Sequence, residues 1–190
     1  MRRVPDNRQS ENSVTPGQIV YLMRGLPGCG KSTTAGQLAG EHGLVCETDD
    51  YFYSQVGSDS KSYDYDAALL PAARSWNIDQ FTAALQRRQS PVVVDRGNGL
   101  NAETQVYVLL ADEHGYATEI REPTSPWWQE LRVLLRYREF VADELFSQWA
   151  TALSVQSRLR HRVPAETIRR WMLAWQPDLT VEQIRNWIEP

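Results

Sequence analysis

The segment Gly25-Leu26-Pro27-Gly28-Cys29-Gly30-Lys31-Ser32 reads G-x-x-x-x-G-K-[ST]. Each fixed position in that pattern has a physical task. Glycines let backbone N–H groups turn inward around a phosphate, forming a nest that no side chain blocks. Lys31 brings a cation to the outer phosphates of a nucleotide, and the Ser32 hydroxyl can ligate Mg²⁺. A helix that starts here aims its positive end at the same phosphates. The candidate nucleotide-binding set is therefore Gly25, Pro27, Gly28, Cys29, Gly30, Lys31, Ser32 and Thr33.

Carboxylates stand at two further places where such a ligand would be met. Asp49 and Asp50 follow the apolar run Leu44-Val45-Cys46, and Asp95 ends Pro91-Val92-Val93-Val94. If both runs are strands of one open parallel sheet, their carboxyl ends face the ligand crevice. One carboxylate there can help hold Mg²⁺, the role suited to Asp95 beside Ser32. Another can accept the proton of an attacking hydroxyl, the role suited to Asp49. Asp50 is equally suited to capping the next turn. The chain has no Asn-Lys-x-Asp motif of the kind that reads guanine. A motor or remodelling ATPase ordinarily needs more chain for its sensor and coupling elements.

The elements that must position these groups are legible from periodicity. Gln18 to Arg24 is a β-branched and aromatic run that stops at glycine, and predicts a buried strand. Ser32 to about Glu41 predicts a helix, with Ala35, Leu38 and Ala39 on one face. Strands follow at 44–46, 91–95 and 117–121, and helices at about 67–88 and 102–114. On the first of those helices Leu69, Ala73, Trp76, Phe81, Ala84 and Leu85 are the expected apolar positions. A polar, tyrosine-rich loop is expected between Asp50 and Asp66. Alternating strands and helices argue for an α/β fold with a mainly parallel sheet. From Ser125 onward the reading is all helix. Ser125-Pro126 looks like an N-cap followed by proline in the first turn, Pro164 opens another helix, and Thr180 with Gln183 has capping-box spacing.

Composition bounds the rest. With 190 residues, 42% of them hydrophobic and 23% charged, the chain has material for about one domain with a real core. No apolar run approaches the roughly 20 residues of a membrane span, and the polar N-terminus lacks the apolar stretch of a secretory signal. Two cysteines and three scattered histidines make neither a disulfide framework nor a metal cluster, and suggest free thiols in a reducing cytoplasm. A net charge of −4 argues against a protein that coats nucleic acid, so any such contact must be local. Residues 1–17 read as a flexible tail and 18–190 as a single domain.

Taken together, Gly25–Thr34, Thr48-Asp49-Asp50-Tyr51-Phe52, Val92-Val93-Val94-Asp95 with Asn98, and Arg121-Glu122-Pro123 resemble the P-loop 5′-hydroxyl polynucleotide kinase group. The likeness extends over about residues 18–175. It is greatest to kinase-like ATP-binding domains such as those carried by ubiquitin-ligase-binding proteins. The resemblance implies a three-layer P-loop kinase fold with a mainly parallel sheet, a helical lid at about 157–164 and a helical insertion at about 126–156. It implies ATP and Mg²⁺ as cofactors, a polynucleotide or nucleotide 5′-hydroxyl as acceptor, and Asp49 as general base. The family's lid arginines fall on Arg158-Leu159-Arg160-His161-Arg162, with Arg158 at the position of a phosphate contact and Arg162 next in expected weight; were this segment plain surface, the charge stabilisation would fall to Arg96 or Arg121.

Three departures stand out. The phage-type enzymes have an arginine where this chain has Phe52. The usual Asp-x-Thr-Asn reads Asp95-Arg96-Gly97-Asn98, and about twenty extra residues precede the lid. A small-molecule kinase of the zeta-toxin-like, sugar-nucleotide kind and a catalytically silent ATP-binding interaction module are the alternative readings. The acidic loop around Tyr51, Tyr53, Tyr63 and Tyr65 favours a non-polynucleotide acceptor. Trp127, Trp128, Trp149, Trp171, Trp175 and Trp187 are expected to be core, and Arg132, Arg136 and Arg138 a solvated helix face.

Overall fold

In the computed structural model, residues 17–54, 63–96, 101–157 and 163–188 are described. The four apolar runs form β1 (Ile19–Met23), β2 (Leu44–Glu47), β3 (Val92–Asp95) and β4 (Ala117–Arg121). All pair in parallel in the order β2-β3-β1-β4. The parallel pairing follows from connections too long for hairpins, each of which carries a helix back across the sheet. These are α1 (Lys31–Ala39), α2 (Asp50–Ser54) with α3 (Leu70–Gln86), and α4 (Asn101–Glu113).

The sheet's alternation sorts its side chains into two layers. Val20, Leu22, Val92 and Val94 face a core built with Phe81, Ala84 and Leu85 of α3 and Tyr107, Val108 and Ala111 of α4. Met23 and Val93 face the other way, against Ala35 and Ala39 of α1. All four residues of β3 are buried, as a strand covered on both faces requires.

Beyond β4 the chain is helical: α5 (Pro126–Arg136), α6 (Asp143–Ser157), α7 (Ala165–Leu173) and α8 (Val181–Arg185). Trp128, Leu131 and Leu135 recur along one face of α5 and meet Phe146, Ala150 and Leu153 of α6 and Ile168 and Met172 of α7. Helix α8 instead returns to the sheet, where Ile184 joins the first core. Its start carries the expected capping box of Thr180 and Gln183. Among the described residues no helix is long and apolar enough to cross a membrane.

Several local expectations need correction. The polar loop after β2 begins with the short helix α2, because Tyr51 and Phe52 bond back to Thr48 and Asp49. Leu69, expected in the core, is 40% exposed because it lies in a 3₁₀ turn before α3, out of phase with the buried stripe. The stripe contains Asn77 instead, which accepts the Tyr107 hydroxyl at 2.6 Å. Ser125 holds the N-cap position of α5, but its side chain caps nothing there. Trp128 and Trp175 are buried, and Trp127, Trp149 and Trp171 pack half-buried against the same core. Arg132 and Arg136 are engaged in ion pairs with Glu122 and Asp178.

Candidate active site

The glycine-rich loop leaves β1 at Arg24 and ends where α1 begins, so strand and helix flank it as the motif requires. Its fixed geometry explains its glycines. Gly25 has φ 154°, and a Cβ there would stand 2.4 Å from Cys29 Sγ. Gly28 has φ 79°, and a Cβ would meet the carbonyl oxygen of Leu153 at 2.7 Å. The backbone of α6 thus presses directly on the loop. Leu26 and Cys29 are buried and belong to the same core as Trp128, Leu131 and Leu153. The loop is moulded from behind by the helical insertion, while Gly30 and Thr33 are exposed and Lys31 and Ser32 half-exposed. Lys31 Nζ donates to the Leu26 carbonyl at 3.2 Å, arching over the loop. Burial pushes the Cys29 thiol up to about 11, against the opposing pull of Lys31.

Three carboxylate-bearing or phosphate-facing segments meet along one sheet edge. Leu22 pairs with Val94 and Glu47 with Asp95, so β3 carries Asp95 between the loop on one side and Asp49 on the other. Neighbouring strands are about 4.8 Å apart, which sets Asp49 roughly 10 Å across the sheet from the line of β1. Asp95 is 5% exposed, and among the described residues its Oδ2 has no hydrogen-bond partner. A buried, unsatisfied carboxylate oxygen is costly unless a cation or donor meets it. A carboxylate and the Ser32 hydroxyl are hard-oxygen donors of the kind Mg²⁺ prefers, so the residues present fit that ion by their chemistry. The nest of positive-φ glycines fits a polyphosphate.

Asp49 is half-buried and accepts the Tyr63 hydroxyl at 3.4 Å. Burial, and next the Asp49 charge, push the Tyr63 phenol upward, so it remains a donor. Asp50 is exposed and opens α2, where its charge faces the helix's positive end. Phe52, at the position where the phage-type pattern has arginine, is 1% exposed and offers no charge to a substrate.

Asn98, Arg158, Arg160, His161 and Arg162 lie outside the described residues. Both flanks of the arginine segment are held: Ser154 Oγ donates to the Val163 carbonyl at 2.7 Å, and the Val163 amide donates to Ser157 Oγ at 3.1 Å. Arg96 donates to the Glu103 carbonyl at 2.7 Å and Arg121 pairs with Glu119, so both candidate substitutes are engaged within the domain.

Sequence reasoning missed Arg24. It is 2% exposed, lies 3.9 Å over the Trp175 ring, and pairs with Glu122 at 3.2 Å while also donating to the Gln176 carbonyl. Glu122 in turn accepts Trp128 Nε1 at 3.2 Å and pairs with Arg132 at 2.8 Å. This network bolts the residue before Gly25 to the helical insertion. Its one sequence signal was a charge ending an apolar strand.

The model of the family described as AAA domain matches residues 20–144. The chain belongs to this family. It is a P-loop domain, with the α/β fold and parallel sheet that the sequence led one to expect. Human NEDD4-binding protein 2 is 36% identical over 115 residues, which are 60% of this chain but 6% of that protein. The chain thus spans a small part of that relative's length. Two solved structures, titled "Structure of Pnkp1/Rnl/Hen1 complex" and "Structure of the Pnkp1/Rnl/Hen1 RNA repair complex", align with TM-scores of 0.47. The first is 19% identical and covers 66% of this AAA domain chain and 40% of its own; the second is 18% identical and covers 83% and 51%.

Proposed function

We propose that this domain transfers the γ-phosphoryl group of ATP, with Mg²⁺, to a hydroxyl acceptor, namely the 5′-hydroxyl of a polynucleotide or nucleotide. The observation that carries this reading is the order of groups along one sheet edge: phosphate-binding loop, buried Asp95, half-buried Asp49. Any nucleophile that attacks the γ-phosphorus must leave its proton somewhere, and Asp49, set apart from the metal-side carboxylate, is a base of the right kind for an acceptor hydroxyl.

In this reading the loop amides and Lys31 hold the β- and γ-phosphates, and Ser32 and Asp95 hold the metal. When bound, Mg²⁺ neutralises charge on the phosphate oxygens. Asp49 accepts a hydrogen bond from the acceptor hydroxyl and orients it toward the γ-phosphorus. As the new O–P bond forms, the bond from the γ-phosphorus to the β–γ bridging oxygen breaks, ADP departs and the hydroxyl proton passes to Asp49. Arg158 and Arg162 offset charge on the transferring group. Arginine suits that work because its planar fork meets phosphate oxygens bidentately and stays charged.

The test is transfer from γ-labelled ATP across 5′-hydroxyl oligonucleotides, nucleosides and sugar nucleotides. Label should enter the 5′ ends, and Arg158→Ala should slow transfer about ten- to a hundred-fold, less than the 10³–10⁵ of a lone arginine finger because several residues share the task. Label on sugar nucleotides alone would make the domain a small-molecule kinase. ATP binding with no transfer to any acceptor would make it a silent interaction module.

A further inference from the structure

The wall beside Asp49 is aromatic. Phe52 is buried and acts as a hub, with Tyr65 at 5.0 Å and Tyr63 at 6.0 Å between ring centroids. Tyr53 lies 5.1 Å from Tyr63, and Tyr63 and Tyr65 lie nearly parallel, 17° apart. Tyr51 anchors the group to α3 through Trp76 at 5.9 Å. The rings do not close over one another: Tyr53 is 37% and Tyr65 50% exposed. A cluster assembled only to fill a core would bury these faces. Instead it presents two partly free ring faces on either side of Tyr63, whose hydroxyl touches Asp49.

Charge narrows what this wall can receive. The described segments that carry it, 48–54 and 63–70, contain four aspartates and no lysine or arginine. A phosphate chain laid along them would meet four negative charges and no cation. A flat, uncharged ring would meet tyrosine faces, and stacking of this kind tolerates any base because every base has a π-face.

We propose that Tyr53, Tyr63 and Tyr65 form a stacking platform for the base of the acceptor nucleoside, which brings its hydroxyl to Asp49. The platform rests on the kinase reading above for the placement of that hydroxyl, and it deepens that reading by making the terminal base the recognised element. The acceptor's phosphates then run away from the acidic wall, and recognition is of an end. Tyr65 is the main contact, since it has the most open face and the closest support from Phe52.

Two strands of 3′-fluorescent single-stranded DNA separate the possibilities, one ending in a 5′-hydroxyl nucleoside and the other in a 5′-hydroxyl abasic sugar. Binding is read by anisotropy with a non-hydrolysable ATP analogue and Mg²⁺, and transfer is read separately with labelled ATP. The base-ended strand should bind about ten-fold tighter than the abasic one, the scale of one stacked base. Tyr65→Ala should abolish that difference, Tyr53→Ala should reduce it, and Tyr65→Phe, which keeps the ring, should restore it. A cooperative thermal transition within a few degrees of the wild type in each variant shows that the fold is intact. Equal affinity of the wild type for both strands, no binding of either, or discrimination that survives both alanine variants would overturn the platform. Transfer to both ends alike would leave the kinase reading standing while sinking the platform. Base-dependent binding without transfer would do the reverse.

Discussion

The two flanks of the site are built on opposite plans. On the donor flank, the loop's own side chains are driven into a core: Leu26 and Cys29 are buried among Trp128, Leu131 and Leu153, and α6 leaves no room for a Cβ at Gly28. On the acceptor flank, Asp49 is followed by a helix of five residues and faced by tyrosines that remain partly open to solvent. In the proposed reaction the donor's phosphates are the same at every turnover, and a mould fixed by apolar packing and a buried ion pair suits them. An acceptor end varies, and ring faces bind by contact area without demanding one hydrogen-bonding pattern. The helical insertion therefore belongs structurally to the half that carries the glycine-rich loop.

The largest effects should come from the groups that do chemistry on each flank, and they should differ in kind. Asp49→Asn should lower the transfer rate by about 10²–10⁴, the range of acid–base groups, with nucleotide affinity within a few-fold of wild type. Lys31→Ala should lower the rate by about 10²–10³, the scale of losing one charge-stabilising donor, and should weaken nucleotide binding as well. Steady-state transfer together with nucleotide titration distinguishes them. Nucleotide affinity lost in Asp49→Asn, or kept in Lys31→Ala, would erase the division between flanks.

That division also marks how far the sequence could be read. The loop was legible because its chemistry is carried by backbone, which fixes residue type and spacing together. Asp95 and Asp49 were legible because parallel strands deliver their carboxyl ends to one edge. The capping box at Thr180 and Gln183 was equally local. What stayed hidden depends on contacts distant in sequence. Arg24 meets Glu122 and Trp175 across nearly the whole domain, and nothing near residue 24 announces them. Asn77 breaks an otherwise apolar stripe because its partner is Tyr107, on another helix. Leu69 failed for a different reason: a 3₁₀ turn shifted its phase relative to the α-helix that follows.

The next effect in size is on stability, and it tests whether the insertion holds the loop. Arg24→Ala leaves Glu122 with the half-exposed Arg132 as its cation and the Trp128 Nε1 donor, and removes the cation over Trp175. Removing one partner of a buried pair costs about 3 kcal/mol or more. In a chain of this size that lowers the midpoint of thermal unfolding by roughly 6–12 °C. Tyr65→Ala, on the open flank, should cost about 1 kcal/mol, the scale of one aromatic pair lost from a half-exposed ring. Calorimetry of the two variants gives the contrast directly. Equal losses would mean that the acceptor flank is as tightly built as the donor flank.

The smallest effect is a labelling rate, but it reports on closure of the loop without any turnover. Cys29 is 1% exposed and its thiol is pushed up to about 11, because burial disfavours the thiolate more than Lys31 favours it. Cys46, on β2, is pushed up to about 12 for the same first reason. Only the thiolate attacks a disulfide reagent, so at pH 8 both cysteines should be doubly protected, by occlusion and by protonation. The sign is fixed: raising the pH toward 11 should accelerate labelling of the native protein, and lowering it should not. A cysteine placed at the open ring, Tyr65→Cys, should label at pH 8 at a rate near that of a free thiol. The measurement is release of the coloured thiol from an aromatic disulfide reagent, native and unfolded. Native wild type should give no rapid phase, Tyr65→Cys one equivalent, and denaturant two further equivalents in either. A rapid equivalent at Cys29 in the native protein would show that the loop opens away from the helical insertion, and the rigid-donor side of the comparison would fail.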